Sequence, residues 1–188
     1  MDPTDNGRNV QIQREVRRTG FDRFAEGAFL MAAEAHHGPR SHDGATVDHP
    51  VAVAELLHER GFDEEVVAAA LLHDVVEDST TEVDEIRERF GPEVARLVAE
   101  MTEDAGIERY EERKAEHRAR VRRDPCVAAI YAADKLANTR ELKDDASSMP
   151  ESQVRHYLET LRTLRETRPE LPFLDELEGE LNELVRAR

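Results

Sequence analysis

The stretch that decides the fold runs Val66-Val67-Ala68-Ala69-Ala70-Leu71-Leu72-His73-Asp74-Val75-Val76-Glu77-Asp78. It opens with an uninterrupted apolar run and ends with one histidine and three acidic residues. A helix that is apolar on all sides belongs in the buried centre of a domain. We therefore predict a central helix that begins near Asp63 and carries an imidazole and three carboxylates to one end of the core.

The acidic end of this stretch indicates a metal site. Residues three and four apart on a helix share a face, which places His73 above Glu77, and Asp74 above Glu77 and Asp78. Buried carboxylates without partners resist ionisation, and a divalent cation removes that conflict. For an arbitrary His-Asp pair, a polar helix end in solvent is the better interpretation. The apolar run directly before this pair favours a functional site instead.

Two other segments offer side chains of the same chemistry. Asp134 lies in a strongly helical stretch with Asn138 one turn further on, and alone it fits a surface acid as well as a buried ligand. His36 ends an Ala-rich helical face, whereas His49 precedes Pro50 and also suits a simple helix start. Imidazole and carboxylate ligands without thiolate suit Mn²⁺, Fe²⁺ or Zn²⁺. Such an ion activates water and polarises a phosphoryl group.

The remaining sequence favours an all-α fold, a compact multi-helix domain. Helical spacing begins at Phe21, and Gly38 and Pro39 stop that helix. Asp124-Pro125 is a typical helix start, and no alternating strand pattern of useful length occurs. Residues 1–18 are polar and predict a loose tail or a short helix. Residues 19–188 predict a single domain, because their length suits one core.

Composition narrows the classes of partner and location. The net charge is −16, from 42 acidic and 26 basic residues, so nucleic acid would meet repulsion over most of the surface. A small phosphorylated substrate needs only local positive charge. Cys126 is the single cysteine, which excludes an internal disulfide and predicts a small core residue. Without a signal region or an apolar run of about 20 residues, we expect a cytoplasmic protein with no membrane partner.

Together these segments resemble the hydrolase domain of the RelA/SpoT proteins, from about Ala32 to Leu142. The chain length resembles a stand-alone small alarmone hydrolase of the metazoan SpoT-homologue type. These are all-helical HD-domain enzymes. The matching segments stand in the family's order, and they are Ala35–Arg40, Asp48–Ala54, Ala69–Asp78, Phe90–Val94 and Ala133–Arg140.

The resemblance implies an enzyme that uses Mn²⁺ to remove the 3′-pyrophosphate from ppGpp or pppGpp. The metal ligands carried over by motif are His36, His73, Asp74 and Asp134. The residues expected to activate the attacking water and position the pyrophosphate are Glu77 and Asp78. The side chains expected to contact the nucleotide or its phosphates are Arg40, Lys135, Asn138 and Arg140.

Three departures from the family pattern keep alternatives open. Pro39 replaces a Gln, the segment before His49 is shorter and lacks an aromatic residue, and Ala137 replaces a His or Tyr. Because these positions lie where the base and ribose would be read, an adenine alarmone, (p)ppApp, is one alternative. An HD-family nucleotidase or a phosphatase of a dinucleotide cofactor is another. Two further alternatives are a nucleotide-binding domain without turnover and a purely structural helical protein. The oligomeric state also stays open.

Overall fold

The computed structural model describes residues 20–36, 47–142 and 150–186. All regular elements in these residues are helices, which confirms the predicted all-α class. The described residues group into two compact units, with the division between Val98 and Ala99. The predicted tail, residues 1–18, lies outside the described residues, and the single domain over residues 19–188 stays a prediction.

Five helices contribute described residues to the first unit. Their bounds are α1 (Arg23–His36), α2 (Asp48–His58), α3 (Glu64–Leu71), α4 (Val75–Asp78) and α5 (Val83–Met101), the last of which belongs to this unit as far as Val98. Helices α1 and α2 both pack against α3, whose residues from Val66 to Leu71 are all buried. The predicted central helix is therefore confirmed, and its alanines leave room for close neighbours.

The central helix ends at Leu71 and does not continue through His73 as predicted. Leu72 has a φ of −105° and a ψ of 2°, and its carbonyl accepts a turn hydrogen bond from the Val75 N–H at 3.1 Å. Helix α4 then begins at Val75. His73 and Asp74 consequently lie in the break between two helices, and the predicted stacking of His73 over Glu77 along one helix is wrong.

Helix α5 is kinked at Phe90-Gly91-Pro92. Gly91 has a φ of 89° and a ψ of 172°, a conformation that L side chains rarely adopt. The Phe90 ring meets the Phe24 ring of α1 edge to face, with 5.9 Å between centroids. The kink thus allows the helix to pack an aromatic pair before it resumes at Pro92.

The second unit is built around a second buried helix. Its helices after α5 are α6 (Tyr110–Val121), α7 (Pro125–Glu141), α8 (Glu151–Thr167) and α9 (Leu174–Arg186). Helix α7 is buried along its length from Val127 to Ala137, and α6, α8 and α9 pack against it. The predicted start of α7 is confirmed, because Asp124 Oδ1 accepts from the N–H groups of Cys126 at 2.8 Å and Val127 at 3.0 Å.

The C-terminal leucine stripe packs within this unit. Leu174, Leu177, Leu181 and Leu184 are buried on a helix that contacts α7 and α8. Cys126 is half-buried, so the predicted core position of this residue is wrong. None of the helices in the described part of the chain combines the length and apolar character needed to cross a membrane.

Candidate functional site

His73 is held in one orientation by the backbone of the central helix. Its side chain is 3% exposed, and its Nδ1 lies 2.7 Å from the carbonyl oxygen of Ala70. Because a carbonyl oxygen can only accept, Nδ1 carries the proton, and the lone pair of the neutral imidazole lies on Nε2. Metal-binding histidines are typically oriented in this way by a hydrogen bond from the other ring nitrogen.

Asp74 and His49 bring two further ligand atoms to His73. The Asp74 Oδ2 atom lies 3.1 Å from His73 Nε2, and the His49 and His73 ring centroids are 5.4 Å apart. One ligand atom from each of the three residues lies within 4.8 Å of the other two. His73 Nε2 and the Asp74 carboxylate oxygen are both donor atoms that a divalent cation can bind once the imidazole is neutral.

The donor set fits a divalent transition metal. Two imidazoles and one carboxylate, with no thiolate, suit Mn²⁺, Fe²⁺ or Zn²⁺ better than an all-oxygen ion such as Ca²⁺. The three side chains come from the first turn of α2 and from the break after α3. The buried central helix therefore fixes two ligands, and α2, which packs on it, supplies the third.

Glu77 and Asp78 lie one turn beyond this cluster on α4. The backbone carbonyl of Asp74 accepts from the N–H of Glu77 at 3.1 Å and from the N–H of Asp78 at 2.9 Å. Glu77 is exposed and Asp78 is half-buried. The short helix α4 thus attaches both acids directly to a residue of the metal cluster.

Asp134 and its neighbours form a tight group on α7 in the second unit. Asp134 is 5% exposed; its Oδ2 lies 2.6 Å from Lys135 Nζ, and its Oδ1 accepts a hydrogen bond from Asn138 Nδ2. Burial opposes the charge of Lys135, but the Asp134 carboxylate and two tyrosines outweigh it and keep the pKa of Lys135 well above its usual range. Both oxygens of Asp134 therefore have oriented donors.

The two arginines predicted near phosphates fall in different situations. Arg40 lies outside the described residues. Arg140 is 41% exposed, and its guanidinium contacts Glu176 at 2.7 Å and Glu180 at 3.4 Å on α9. Its charge is thus engaged within the protein, and its contact with a substrate stays a prediction.

A cavity of about 400 Å³ opens in the second unit. The residues that line it are Tyr110, Lys114, Lys135, Pro150, Ser152, Gln153, His156 and Tyr157. Of these, the sequence pointed only to Lys135, since the others come from helices far apart in the chain and carry no local motif. The lining combines aromatic rings with two ammonium groups. Each ammonium group is ion-paired within the protein, Lys114 with Glu103 and Lys135 with Asp134. The cavity suits a ligand with a flat ring and a negative group that shares those cations.

Residues 28–166, about three quarters of the chain, match a family model described as HD domain. The chain belongs to the HD-domain family. This assignment confirms the predicted resemblance, and it spans most of the helices described above.

Within the HD-domain family, this chain is similar to several curated proteins and solved structures. The mouse protein named guanosine-3′,5′-bis(diphosphate) 3′-pyrophosphohydrolase MESH1 is 37% identical over 135 residues, which are 69% of this chain and 75% of that protein. The crystal structure of lmo0812 from Listeria monocytogenes has a TM-score of 0.66 at 36% identity, covering 73% of this chain and 99% of its own. A structure described as a metazoan ortholog of SpoT that hydrolyzes ppGpp has a TM-score of 0.70 at 27% identity, covering 89% and 96%.

Two histidines were candidates for the third position of this cluster, and the structure describes the side chain of only one of them. His36 ends α1, but its side chain is outside the described part of the structure. His49, which also suited a helix start, stands beside His73 and Asp74 instead. Its signal was the segment from Asp48 to Ala54, which matches the family pattern but resembles a proline-marked helix start when read alone.

Proposed function

We propose that this chain hydrolyses the 3′-pyrophosphate of (p)ppGpp-like nucleotides and releases a nucleoside 5′-di- or triphosphate plus pyrophosphate. The observation that carries the proposal is the convergence of His49, His73 and Asp74 in an HD-domain chain. The names of its relatives describe this reaction. A divalent cation is required for it.

Mn²⁺ is the proposed cofactor, with Fe²⁺ and Zn²⁺ as alternatives that the same donor set accepts. His49, His73 and Asp74 would hold it, and Asp134 is the fourth proposed ligand on the strength of the family resemblance. When bound, the ion supplies Lewis acidity, which lowers the pKa of a water molecule and polarises the phosphoryl oxygens. His36 stays a prediction that a single substitution can test.

Glu77 and Asp78 are the proposed acid–base residues. Both residues stand on the turn that begins at Asp74, and we expect their carboxylates to orient a water molecule beside the cluster, accept its proton and position the pyrophosphate. General base catalysis of this kind contributes about 10²- to 10⁴-fold to a rate.

The cavity of the second unit is proposed to bind the nucleotide. Lys114 and Lys135 are the cations of its wall, and a bound phosphate would share them with their carboxylate partners Glu103 and Asp134. The rings of Tyr110 and Tyr157 are proposed to contact a base or ribose. Asn138, Arg40 and Arg140 remain predicted contacts of the same substrate. The cytoplasmic location and the absence of a nucleic-acid partner stay predictions as well.

Product analysis tests this function and its alternatives at once. Purified protein is incubated with Mn²⁺ and separately with ppGpp, ppApp and a dinucleotide phosphate, and the products are resolved by ion-exchange chromatography. GDP plus pyrophosphate supports the proposal, and ADP plus pyrophosphate moves the specificity to adenine. Orthophosphate alone points to a nucleotidase or phosphatase. Full activity in excess EDTA would contradict the metal requirement.

A further inference from the structure

A buried histidine organises the wall of the cavity in the second unit. His156 is 1% exposed and lies on α8 among three tyrosines, each of which it meets edge to face. Its ring centroid is 6.3 Å from that of Tyr110, 6.4 Å from that of Tyr131 and 5.7 Å from that of Tyr157. Two of these tyrosines line the cavity, so the orientation of one imidazole bears on both.

The tautomer of His156 follows from its neighbours. Arg118 Nη1 lies 2.6 Å from His156 Nδ1, and because a guanidinium only donates, Nδ1 must accept. The proton of a neutral imidazole is therefore on Nε2, which lies 3.3 Å from the Tyr131 hydroxyl oxygen. Nε2–H donates to that oxygen, and both ring nitrogens are engaged by the protein.

This arrangement reaches the cavity through the aromatic rings. Lys135 Nζ lies 4.8 Å from the Tyr131 ring centroid and 5.4 Å from that of Tyr157, so the two rings flank one ammonium group of the cavity wall. Ammonium groups are attracted to ring faces at such distances. If the imidazole turned, Tyr131 would lose its hydrogen bond, and if it changed tautomer, the hydroxyl would have to donate instead of accept. Either change would alter the position of the ring beside Lys135.

The surroundings of His156 keep the imidazole neutral as well as fixed. The charged groups that act on it are three cations and one carboxylate, namely Lys135, Lys114, Arg118 and Glu103. Burial, followed by the three cations, lowers the pKa of His156 to about 2, against a smaller opposing effect of Glu103. The positive charge of the cavity wall is thus confined to the lysines.

We propose that Arg118 is a positioning residue for the cavity: it locks His156 in the Nε2–H tautomer, and the locked imidazole sets the tyrosine rings that hold Lys135. The assignment rests on the proposed function only in taking the nucleotide as the ligand of this cavity. Arg118 is 12% exposed, and its other terminal nitrogen, Nη2, lies 2.7 Å from Glu159. That second contact supplies a matched control on the same guanidinium.

The kinetic test compares three substitutions with wild-type protein, using ppGpp and Mn²⁺. Arg118→Leu removes the donor, and we expect KM to rise about tenfold, equivalent to 1.4 kcal/mol of binding, with kcat within about twofold. Arg118→Lys keeps a cationic donor and is expected to restore KM to within about threefold of wild type. Glu159→Gln removes only the outer ion pair, and KM is expected to be unchanged.

A second readout does not depend on turnover. Imidazole ¹⁵N–¹H spectra of wild-type protein should show His156 as a fixed Nε2–H tautomer that does not titrate between pH 5 and 8. In Arg118→Leu the donor to Nδ1 is gone, so the imidazole should exchange between its two tautomers and its ¹⁵N shifts should move towards the average of the two forms, while burial, Lys135 and Lys114 still disfavour its protonation. Tyr131→Phe keeps the ring beside Lys135 but removes the acceptor, so it should shift the Nε2–H resonance and raise KM about threefold. If Arg118→Leu does not fold, the Nε2–H resonance and the KM of Tyr131→Phe test the positioning role instead.

Several outcomes would overturn the assignment. They are a wild-type KM in Arg118→Leu, an equal rise of KM in Glu159→Gln, and titration of His156 in wild-type protein. Should wild-type protein leave ppGpp intact, the proposed function fails by itself. The positioning role is then decided by the imidazole spectra and by ppGpp binding in EDTA, where Arg118→Leu must still bind more weakly than Glu159→Gln.

Discussion

At the scale of single residues, the metal cluster depends on where one proton lies. The Ala70 carbonyl fixes a proton of His73 on Nδ1, so Nε2 is the nitrogen that faces Asp74 and the one that can bind a metal ion when the imidazole is neutral. The arrangement assigns different roles to adjacent acids. Asp74 contacts the imidazole and belongs to the donor set, whereas Glu77 lies one turn away and is exposed.

Asp74 and Glu77 should therefore separate metal binding from chemistry. Asp74→Asn loses a charged ligand, and we expect the Mn²⁺ affinity to fall by more than the 10- to 100-fold typical of residues that only orient a ligand. Glu77→Gln should retain wild-type Mn²⁺ content while kcat falls about 10²- to 10⁴-fold. Metal content after gel filtration and ppGpp turnover check both. A wild-type rate in Glu77→Gln would remove its catalytic role.

The two histidines upstream of the central helix give a second test at this scale. His49 stands within 4.8 Å of the other ligand atoms, so His49→Ala should weaken Mn²⁺ binding by about 100-fold or more, by comparison with orienting residues. The family resemblance predicts His36 as a ligand too, so His36→Ala should also weaken Mn²⁺ binding. The exposed His58→Ala is the matched control and should bind Mn²⁺ like wild-type protein. Titration calorimetry with Mn²⁺ measures all three variants, and wild-type affinity in His49→Ala or His36→Ala would remove that residue from the ligand set.

At the scale of elements, the sequence predicted helices well where periodicity and caps agree, and it failed where neither applies. Asp124 with Pro125 correctly marked the start of α7, and the apolar run marked α3. Nothing in the sequence marks the break after Leu71, because Leu72, His73 and Asp74 have no glycine or proline among them. The break comes from tertiary packing, which overrides local propensity.

The kink in α5 gives a prediction about stability with a matched control. Gly91→Ala forces a side chain into a positive-φ conformation, and strain of this kind costs about 1–3 kcal/mol. Gly179, within α9, has open space where the Cβ of an alanine would lie, so Gly179→Ala should stabilise the protein by up to about 1 kcal/mol. Thermal unfolding midpoints measure both changes. Equal midpoints for the two variants would contradict the strain at Gly91.

At the scale of the whole molecule, the family and fold class could be predicted, but the cavity could not. The segments that carry the resemblance contain the apolar run and the His-Asp pair, both of which are local patterns. The cavity instead combines Tyr110 of α6, Lys135 of α7 and Tyr157 of α8. Their proximity depends on helix packing, which no spacing within one segment records.

The same packing buries groups that should make the protein sensitive to acid. Burial lowers the pKa of His117, and burial with nearby cations lowers that of His156 to about 2. For Glu103, burial raises the pKa, but contacts with His117, Lys114 and Arg113 outweigh it and hold the pKa well below the usual range. Each group has a lower pKa in the folded state than in the unfolded state.

The contribution of the two histidines to the free energy of unfolding should consequently be fully present above their unfolded-state pKa of 6.5. It should decline as the pH falls below that value. The unfolded chain takes up protons that the folded chain refuses, and at pH 5 a histidine kept neutral in the folded state lowers the free energy of unfolding by about 2 kcal/mol. Glu103 adds to the loss below pH 4.5 for the same reason.

Urea unfolding between pH 8 and 5 measures this dependence. His156→Gln has no group to titrate at this position. As the pH falls, its free energy of unfolding should therefore decrease less steeply than that of wild-type protein, and the difference in slope should be at most the contribution of one bound proton. A His156→Gln slope equal to that of wild type would mean that His156 takes up its proton in the folded protein, contrary to the donor that Arg118 directs at its Nδ1.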